Sequence, residues 1–478
     1  MQEIGLHQVC DEIAKAFSAD DYSRVESLLW PALNQFPELP QLWFYAGNHL
    51  FQTDRAAMAV QAFERCLELD SNPLVLANLG AAYRKLNLHE EGIRVLKAAL
   101  DRAPDYAPAL VNLGSMFVNE GKPNDGIPHL ERAVDVGTRS GRMERGAEWN
   151  LALLYLEAGR FGEGFDLYRT GLGKERLVRN YGKASKGIAE PAVLQPESET
   201  QGKTLIIWGE QGIGDELMFA TCIPQARAEF KEVIFECHPR LEWLYRQVFP
   251  DLRIFPTRKE EDIDWPIKEK IHADYKCPIG DLASRYRRDL ASFANRPRFV
   301  IDEREREVYR AQLEQIADGR RIVGLATRGG VMQTARTYRT LKVPDADRLL
   351  SQENVLYVGL DYDDMTGFAT YCEEKYPGKY VWFPSILQHW DYHHTGALMA
   401  ACDMVVTVAQ SAAHLAAVLG LKTRVLAANR CAWREARLSG DTWYLYPDEN
   451  VRIYHQEKDG EWAGPLDRVI AEISGSKQ

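Results

Sequence analysis

The glycines Gly47, Gly80 and Gly114 recur 33 and 34 residues apart, and this spacing constrains the fold of the amino-terminal third more than any other feature. Twelve residues after each stand Ala59, Gly92 and Gly126. Sixteen after stand Phe63, Leu96 and Leu130, and nineteen after stand Cys66, Ala99 and Ala133. Two antiparallel helices of about 14 residues approach closely only where small side chains face each other and larger apolar ones fill the space alongside. The spacing therefore predicts stacked helix hairpins. A fourth copy fits Leu151, Ala152, Tyr155, Gly164 and Tyr168 after an insertion at Thr138-Arg139-Ser140-Gly141, and a degenerate first copy begins near Cys10 with Ala14 and Phe17. Trp43, Tyr45, Tyr83 and Phe117 are expected to pack inside rather than meet a ligand.

At 478 residues the chain exceeds one hydrophobic core and calls for roughly three packing units. Basic residues number 58 against 69 acidic, a net charge of −11, which argues against a protein that tracks a nucleic-acid backbone. The eight cysteines form no C-x-x-C pair, so neither a zinc site nor a disulfide framework is expected. MQEIGLHQVCDEIAKAF carries acids where a signal peptide needs a basic start, and no run approaches 18 apolar residues. A cytoplasmic chain without a membrane span is expected.

The repeats are expected over 1–172, followed by a polar linker over 173–202 that lacks apolar periodicity. From Lys203 the pattern changes. TLIIW, a glycine-rich turn and LMFATCIPQARAEF form a β-turn-α unit, and EVIFEC and LRIFP follow as strands with the helical LEWLYRQVF between them. RIVGLAT, NVLYVGL, DMVVTVA and TRVLAA form a second set alternating with helices. Continuous apolar strands of this kind belong in parallel sheets covered on both faces. The fold class is thus α plus α/β, with one lobe over 203–300 and another over 301–478. Ligands of such sheets bind at the carboxyl ends of the strands.

The loop carrying Gly209, Gln211, Gly212, Gly214 and Asp215 joins a strand to a helix, where free amides and the helix dipole favour an anion. Asp215 is either a general base facing the cleft or only a helix cap. In VVTVAQSAAHLAAVLG a strand runs into a helix with Ser411 at the cap and His414 three residues on. Those amides and the Ser411 hydroxyl suit a diphosphate, and His414 either contacts the ligand or satisfies a local hydrogen bond. Asp361-Tyr362-Asp363-Asp364 follows a strand and reads as a solvated loop, a base contact or a metal site. Trp433 and Arg434 either close the pocket or serve packing.

The hairpin columns resemble the tetratricopeptide repeat. GEQGIGDELMFA, ADYKCPIGDLASRY, GLATRGG with TARTYRTLKV, HTGALMAACDMVVTVAQSAAHLAAVLG, and CAWREARLSGDTWY with VRIYHQ resemble, in that order, a glycosyltransferase module found behind such repeats in bacterial proteins. That module is similar to the lipopolysaccharide heptosyltransferases and, more distantly, to the O-linked N-acetylglucosamine transferases. The resemblance implies a two-lobed GT-B fold and inverting transfer from a nucleotide sugar, with no metal and no further cofactor. It implies that Asp215 is the base on the acceptor, that Arg328 and Arg339 lie near the donor phosphates, and that Ser411 and His414 mark the phosphate-binding helix start. Where the family has VDTAVAHLAGALG, this chain has Ala409 and Gln410 in place of Asp and Thr, so an aspartate contact to the donor is missing. Either the donor differs or turnover is lost; Gln410 offers hydrogen bonds to ribose or sugar hydroxyls instead.

The leading expectation is a transferase whose repeats select a protein acceptor, of which flagellin glycosyltransferases are examples, with a Ser or Thr hydroxyl as the target. The alternatives are a non-catalytic adaptor with a degenerate module, and a transferase acting on a lipid-linked or polysaccharide acceptor. The expected partners are a nucleotide sugar, a protein in the repeat groove and, through the repeats, further copies of the chain.

Overall fold

The computed structural model describes residues 3–171, 179, 181, 189–258, 263, 265–330, 336–387 and 391–475. Two compact units are present, Met1–Tyr155 and Leu156–Gln478.

The first unit is helical: α1 (Glu3–Ser18), α2 (Tyr22–Gln35), α3 (Pro40–Gln52), α4 (Ala56–Leu69), α5 (Pro73–Lys85), α6 (His89–Arg102), α7 (Ala107–Ser115), α8 (Pro123–Ser140) and the start of α9 (Ala147–Glu157). The sixteen-residue column is a set of direct contacts. A Cβ on Gly47 would collide with the Phe63 ring, one on Gly80 with the Leu96 side chain, and one on Gly114 with that of Leu130. Ala59, Ala99 and Ala133 are fully buried beside them. Between repeats the same device recurs, since Gly92 meets Met116 and Gly126 meets Leu154. Asparagines tie successive hairpins together: Asn78 donates to the Asn48 side-chain oxygen at 2.9 Å, Asn112 to the Ala77 carbonyl at 3.1 Å, and Asn150 to the Ser115 hydroxyl at 2.6 Å.

The insertion after residue 137 lengthens α8 to 18 residues, and Gly141, with φ of 67°, ends it in the left-handed conformation that glycine adopts without strain. Trp43, Tyr45, Tyr83 and Phe117 pack as expected. Tyr83 is buried with its hydroxyl on Glu64 at 2.7 Å, and Tyr45 stacks on Phe17 at 5.9 Å. In the first hairpin the inward face is Cys10, Ile13 and Ala16 instead of the expected Ala14, which is only partly buried.

The boundary expected at residue 172 falls earlier, and the reason is aromatic. Helix α10 (Phe161–Tyr168) buries Phe161 against Phe293 and Tyr444, and Phe165 and Tyr168 against Phe219 and Trp433, so it belongs to the α/β core. The expected linker lies partly outside the described residues, and its described end is ordered structure rather than a spacer. There β1 (Ala192–Val193) pairs in parallel with β5 (Tyr275–Pro278), and Leu194 is buried.

The α/β unit holds two wholly parallel sheets. In the first, β2 (Thr204–Trp208), β3 (Glu232–Cys237) and β4 (Arg253–Pro256) join β1 and β5 in the order β1-β5-β2-β3-β4. In the second, β6 (Arg321–Ala326), β7 (Val355–Gly359), β8 (Tyr380–Trp382), β9 (Met404–Val408), β10 (Thr423–Ala427) and β11 (Val451–His455) run in the order β11-β10-β9-β6-β7-β8. Strand order reverses between β2 and β5 in one sheet and between β6 and β9 in the other. Such switch points open a crevice at the carboxyl ends of the strands. β2, β6 and β9 are mostly apolar and, with β5, almost entirely buried, as sheets covered on both faces require. All eight cysteines are free thiols, seven of them buried. No helix among the described residues is long and apolar enough to cross a membrane.

Candidate functional site

At the end of β2 the chain turns through Gly209-Glu210-Gln211-Gly212 into α11 (Ile213–Ala220). Gln211 takes the left-handed conformation at φ 57°, and the Asp215 carboxylate accepts from the Gly212 amide at 3.3 Å, closing the first turn. At the end of β9 the chain runs straight through Gln410 into helix Ser411–Val418. Ser411 is the first helical residue and Gln410, fully extended, is the cap, a correction of one position to the sequence reading. The starts of the two helices touch. A Cβ on Gly214 would lie 3.0 Å from His414 Cδ2 and 3.5 Å from Ser411 Cα, so any larger side chain would press on the neighbouring helix start.

Both helix starts open on a cavity of about 540 Å3 that Arg240, Arg339, Arg434, Gln410, Tyr392 and Glu435 help to line. Arg240 stands over the Tyr392 ring at 4.7 Å, and the Tyr392 hydroxyl meets that of Ser411 at 2.9 Å. Arg339 donates to the Ala409 carbonyl. Arg434 lies over Trp433 at 4.7 Å, donates to Asp215 through Nε at 2.6 Å and to the Gln211 side chain at 3.2 Å. The Glu435 carboxyl is buried, and that burial raises its pKa against the pull of Arg339 and Arg434. Gln410 is 6 % exposed. Its amide nitrogen reaches Asp361 at 3.4 Å, while its carbonyl oxygen has no hydrogen-bond partner among the described residues. A buried acceptor left in this state is costly unless something fills the cavity and donates to it.

Asp215, Arg339, Gln410, Ser411, His414, Gln211, Gly212 and Gly214 therefore come together as the sequence suggested. Arg328 does not. Its guanidinium turns to the Asp364 carbonyl at 3.4 Å and the Asp363 carboxylate at 3.7 Å. Gly209 has a structural part, because a Cβ there would strike the Glu216 carboxylate, which accepts from the His238 amide at 3.0 Å under the loop. His414 is not a cation: burial drives its pKa down to about 3, and Nδ1 meets the Tyr446 hydroxyl at 2.7 Å. Asp361 is no solvated loop residue. It is buried, accepting from the Thr327 amide and hydroxyl, each at 2.9 Å, and from the Arg328 amide at 3.0 Å, which ties the end of β7 to that of β6. Among the described residues no group of three or more His, Cys, Asp or Glu side chains is arranged to hold a metal ion.

Arg240, Tyr392 and Glu435 escaped the sequence reading. Arg240 carried a signal, since it follows the carboxyl end of β3 in the segment Cys237-His238-Pro239-Arg240, where crevice residues are expected.

The tetratricopeptide repeat family model matches residues 75–106, in accord with hairpin α5–α6. Among characterised relatives, Protein FlbA of Caulobacter vibrioides is 26 % identical over 441 residues, covering 83 % of this chain and 72 % of that protein, so the likeness extends into the α/β unit. A Saccharomyces cerevisiae protein described as essential for maintenance of the cell wall is 32 % identical over 87 residues, 18 % of this chain and 10 % of that one. Among solved structures, MamA of Desulfovibrio magneticus RS-1 is 18 % identical with a TM-score of 0.30, covering 35 % of this chain and 96 % of its own. Pseudomonas aeruginosa pilF is also 18 % identical, with a TM-score of 0.31, covering 36 % of this chain and 79 % of its own. The chain is thus a tetratricopeptide repeat protein carrying an α/β unit of two parallel sheets.

Proposed function

We propose that the α/β unit is a GT-B glycosyltransferase module that binds a nucleoside diphosphate sugar in the arginine-lined cavity and transfers the sugar to a protein hydroxyl, the repeats selecting the acceptor. One observation supports the reading above all: three arginines and two helix starts converge where both sheets reverse their strand order. Guanidinium groups and free amides are the partners a diphosphate needs, and Arg holds it with paired, charge-assisted bonds.

In this reading Arg339 and Arg240 meet the diphosphate, and the Gln410 carbonyl accepts from a ribose or sugar hydroxyl. With Tyr446 donating to Nδ1, the neutral His414 ring carries its proton on Nε2 and donates toward the ligand. Arg434 leaves Asp215 for the doubly charged diphosphate. The freed carboxylate takes the proton of the acceptor hydroxyl as its oxygen bonds to the sugar C1 and the bond from C1 to the diphosphate breaks. The departing charge is stabilised by the arginines and amides, with no call for a metal.

The second reading, a nucleotide-binding adaptor without turnover, draws support from the same Asp215–Arg434 pair, which occupies the base. Asp215→Asn separates the two. Under the transferase reading it keeps nucleotide affinity but lowers sugar transfer, or slow hydrolysis of the nucleotide sugar by water, by about a hundredfold or more. Equal rates for the native chain and the Asp215→Asn variant would remove Asp215 from the chemistry.

A further inference from the structure

A second cavity, of about 660 Å3, opens beside the first and takes its walls from Pro239, Glu242 and Trp243 on one lobe and Tyr309, Asp391 and His394 on the other. Arg240 and Tyr392 line the first cavity, and their chain neighbours Pro239 and Asp391 line the second. None of the chemistry described above uses this space.

Trp243 is its most unusual wall. The indole is 51 % exposed, whereas every other tryptophan among the described residues is buried or half-buried. It stands edge-on to His393 at 6.2 Å, and the Glu305 carboxylate lies 3.0 Å from Nε2 of that ring. An indole kept in water costs solvation free energy that a stacked ligand would recover.

The polar groups decide the ligand. Glu242 and Asp391 supply carboxylate lone pairs, and Ser385, Tyr309 and His394 supply hydroxyl and imidazole groups that donate as well as accept. Both carboxylates are already engaged. Arg246 holds Glu242 at 2.9 Å, and Asp391 caps a helix by accepting from the His393 amide at 2.7 Å. The Tyr309 hydroxyl, protonated at neutral pH, is a donor. Carboxylate acceptors, mixed donors and an exposed aromatic ring within a volume typical of ligand sites suit an uncharged polyol with an apolar face.

We propose that this second cavity binds a neutral saccharide, one pyranose face stacked on Trp243 and its hydroxyls donating to Glu242 and Asp391. The inference stands apart from the transferase reading, since a saccharide site here requires neither nucleotide binding nor turnover.

The test uses the full chain and methyl glycosides of glucose, galactose, mannose and N-acetylglucosamine, followed by saturation-transfer NMR and calorimetry, with tetramethylammonium as a cationic probe. At least one glycoside is expected to bind. Trp243→Ala should weaken it about tenfold or more, Trp243→Phe by less, and Glu242→Gln should weaken it while the thermal midpoint of each variant stays near that of the native chain. Absence of binding by all four glycosides at millimolar concentration, undiminished binding to the Trp243→Ala chain, or tighter binding of tetramethylammonium than of any glycoside would each overturn the proposal.

Discussion

Arg434 and Asp215 follow strands of different sheets of the α/β unit, yet the guanidinium Nε lies 2.6 Å from the carboxylate, and both line the arginine-rich cavity. Burial disfavours the Arg434 charge, and Asp215, Tyr168 and Glu435 together more than offset it. A diphosphate entering the cavity competes for the same guanidinium. Arg434→Ala should therefore weaken nucleoside diphosphate binding about tenfold or more while leaving the fold intact, as isothermal titration and circular dichroism would show.

The stacked repeats rest on paired small and large residues. Gly114→Val should destabilise the first unit by about 1–3 kcal/mol through collision with Leu130, and a Leu130→Ala change on the same chain should recover part of that loss. Thermal melts of the two single variants and the double variant check it; strict additivity would mean the two side chains do not share the space.

His414 sets a pH dependence whose sign is fixed. Its pKa is pushed down to about 3 by burial, while in an unfolded chain it returns to the ordinary histidine range. The unfolded state thus binds more protons between those values, so the stability contributed by the neutral ring is full above about pH 6.5 and falls as pH drops toward 3. Replacing it with glutamine, which cannot titrate, removes this contribution, so the native-minus-variant difference should change by up to about 1.4 kcal/mol per pH unit in that window. Urea denaturation at several pH values measures the difference; parallel curves would place His414 in water.

Gly214→Val should separate the two helix starts, because its side chain would press on His414 and Ser411. The expected result is loss of nucleotide binding together with a lowered melting midpoint for the α/β unit only. An unaltered dissociation constant would mean that the close approach of the helices does not shape the cavity.

Much of this architecture was legible because its signals are local. The column from Gly47 to Phe63 is a single hairpin, and β2 and β3 are short, mostly apolar runs whose ends match the sequence to the residue. The strands that escaped are those whose composition hides them. β5 contains Lys276, buried through its bonds to Glu190 and the Arg179 carbonyl, β8 has three residues, and β11 alternates with Arg452 and His455. In the cavity, residues tied to a strand end were visible, including Gln410, Ser411 and Asp215. Pairings between distant segments were not: the 219-residue separation of Asp215 and Arg434 leaves no local trace, and only the fold reveals that Arg328 turns away to Asp363.

The most direct measurement is calorimetric titration of the full chain with uridine, guanosine, thymidine and adenosine diphosphates, repeated with Arg339→Ala. The account predicts that at least one nucleotide binds the native chain and that loss of the Arg339 guanidinium weakens it about tenfold or more. Absence of binding by all four, or a dissociation constant unmoved by Arg339→Ala, would contradict the assignment of the cavity to a nucleoside diphosphate.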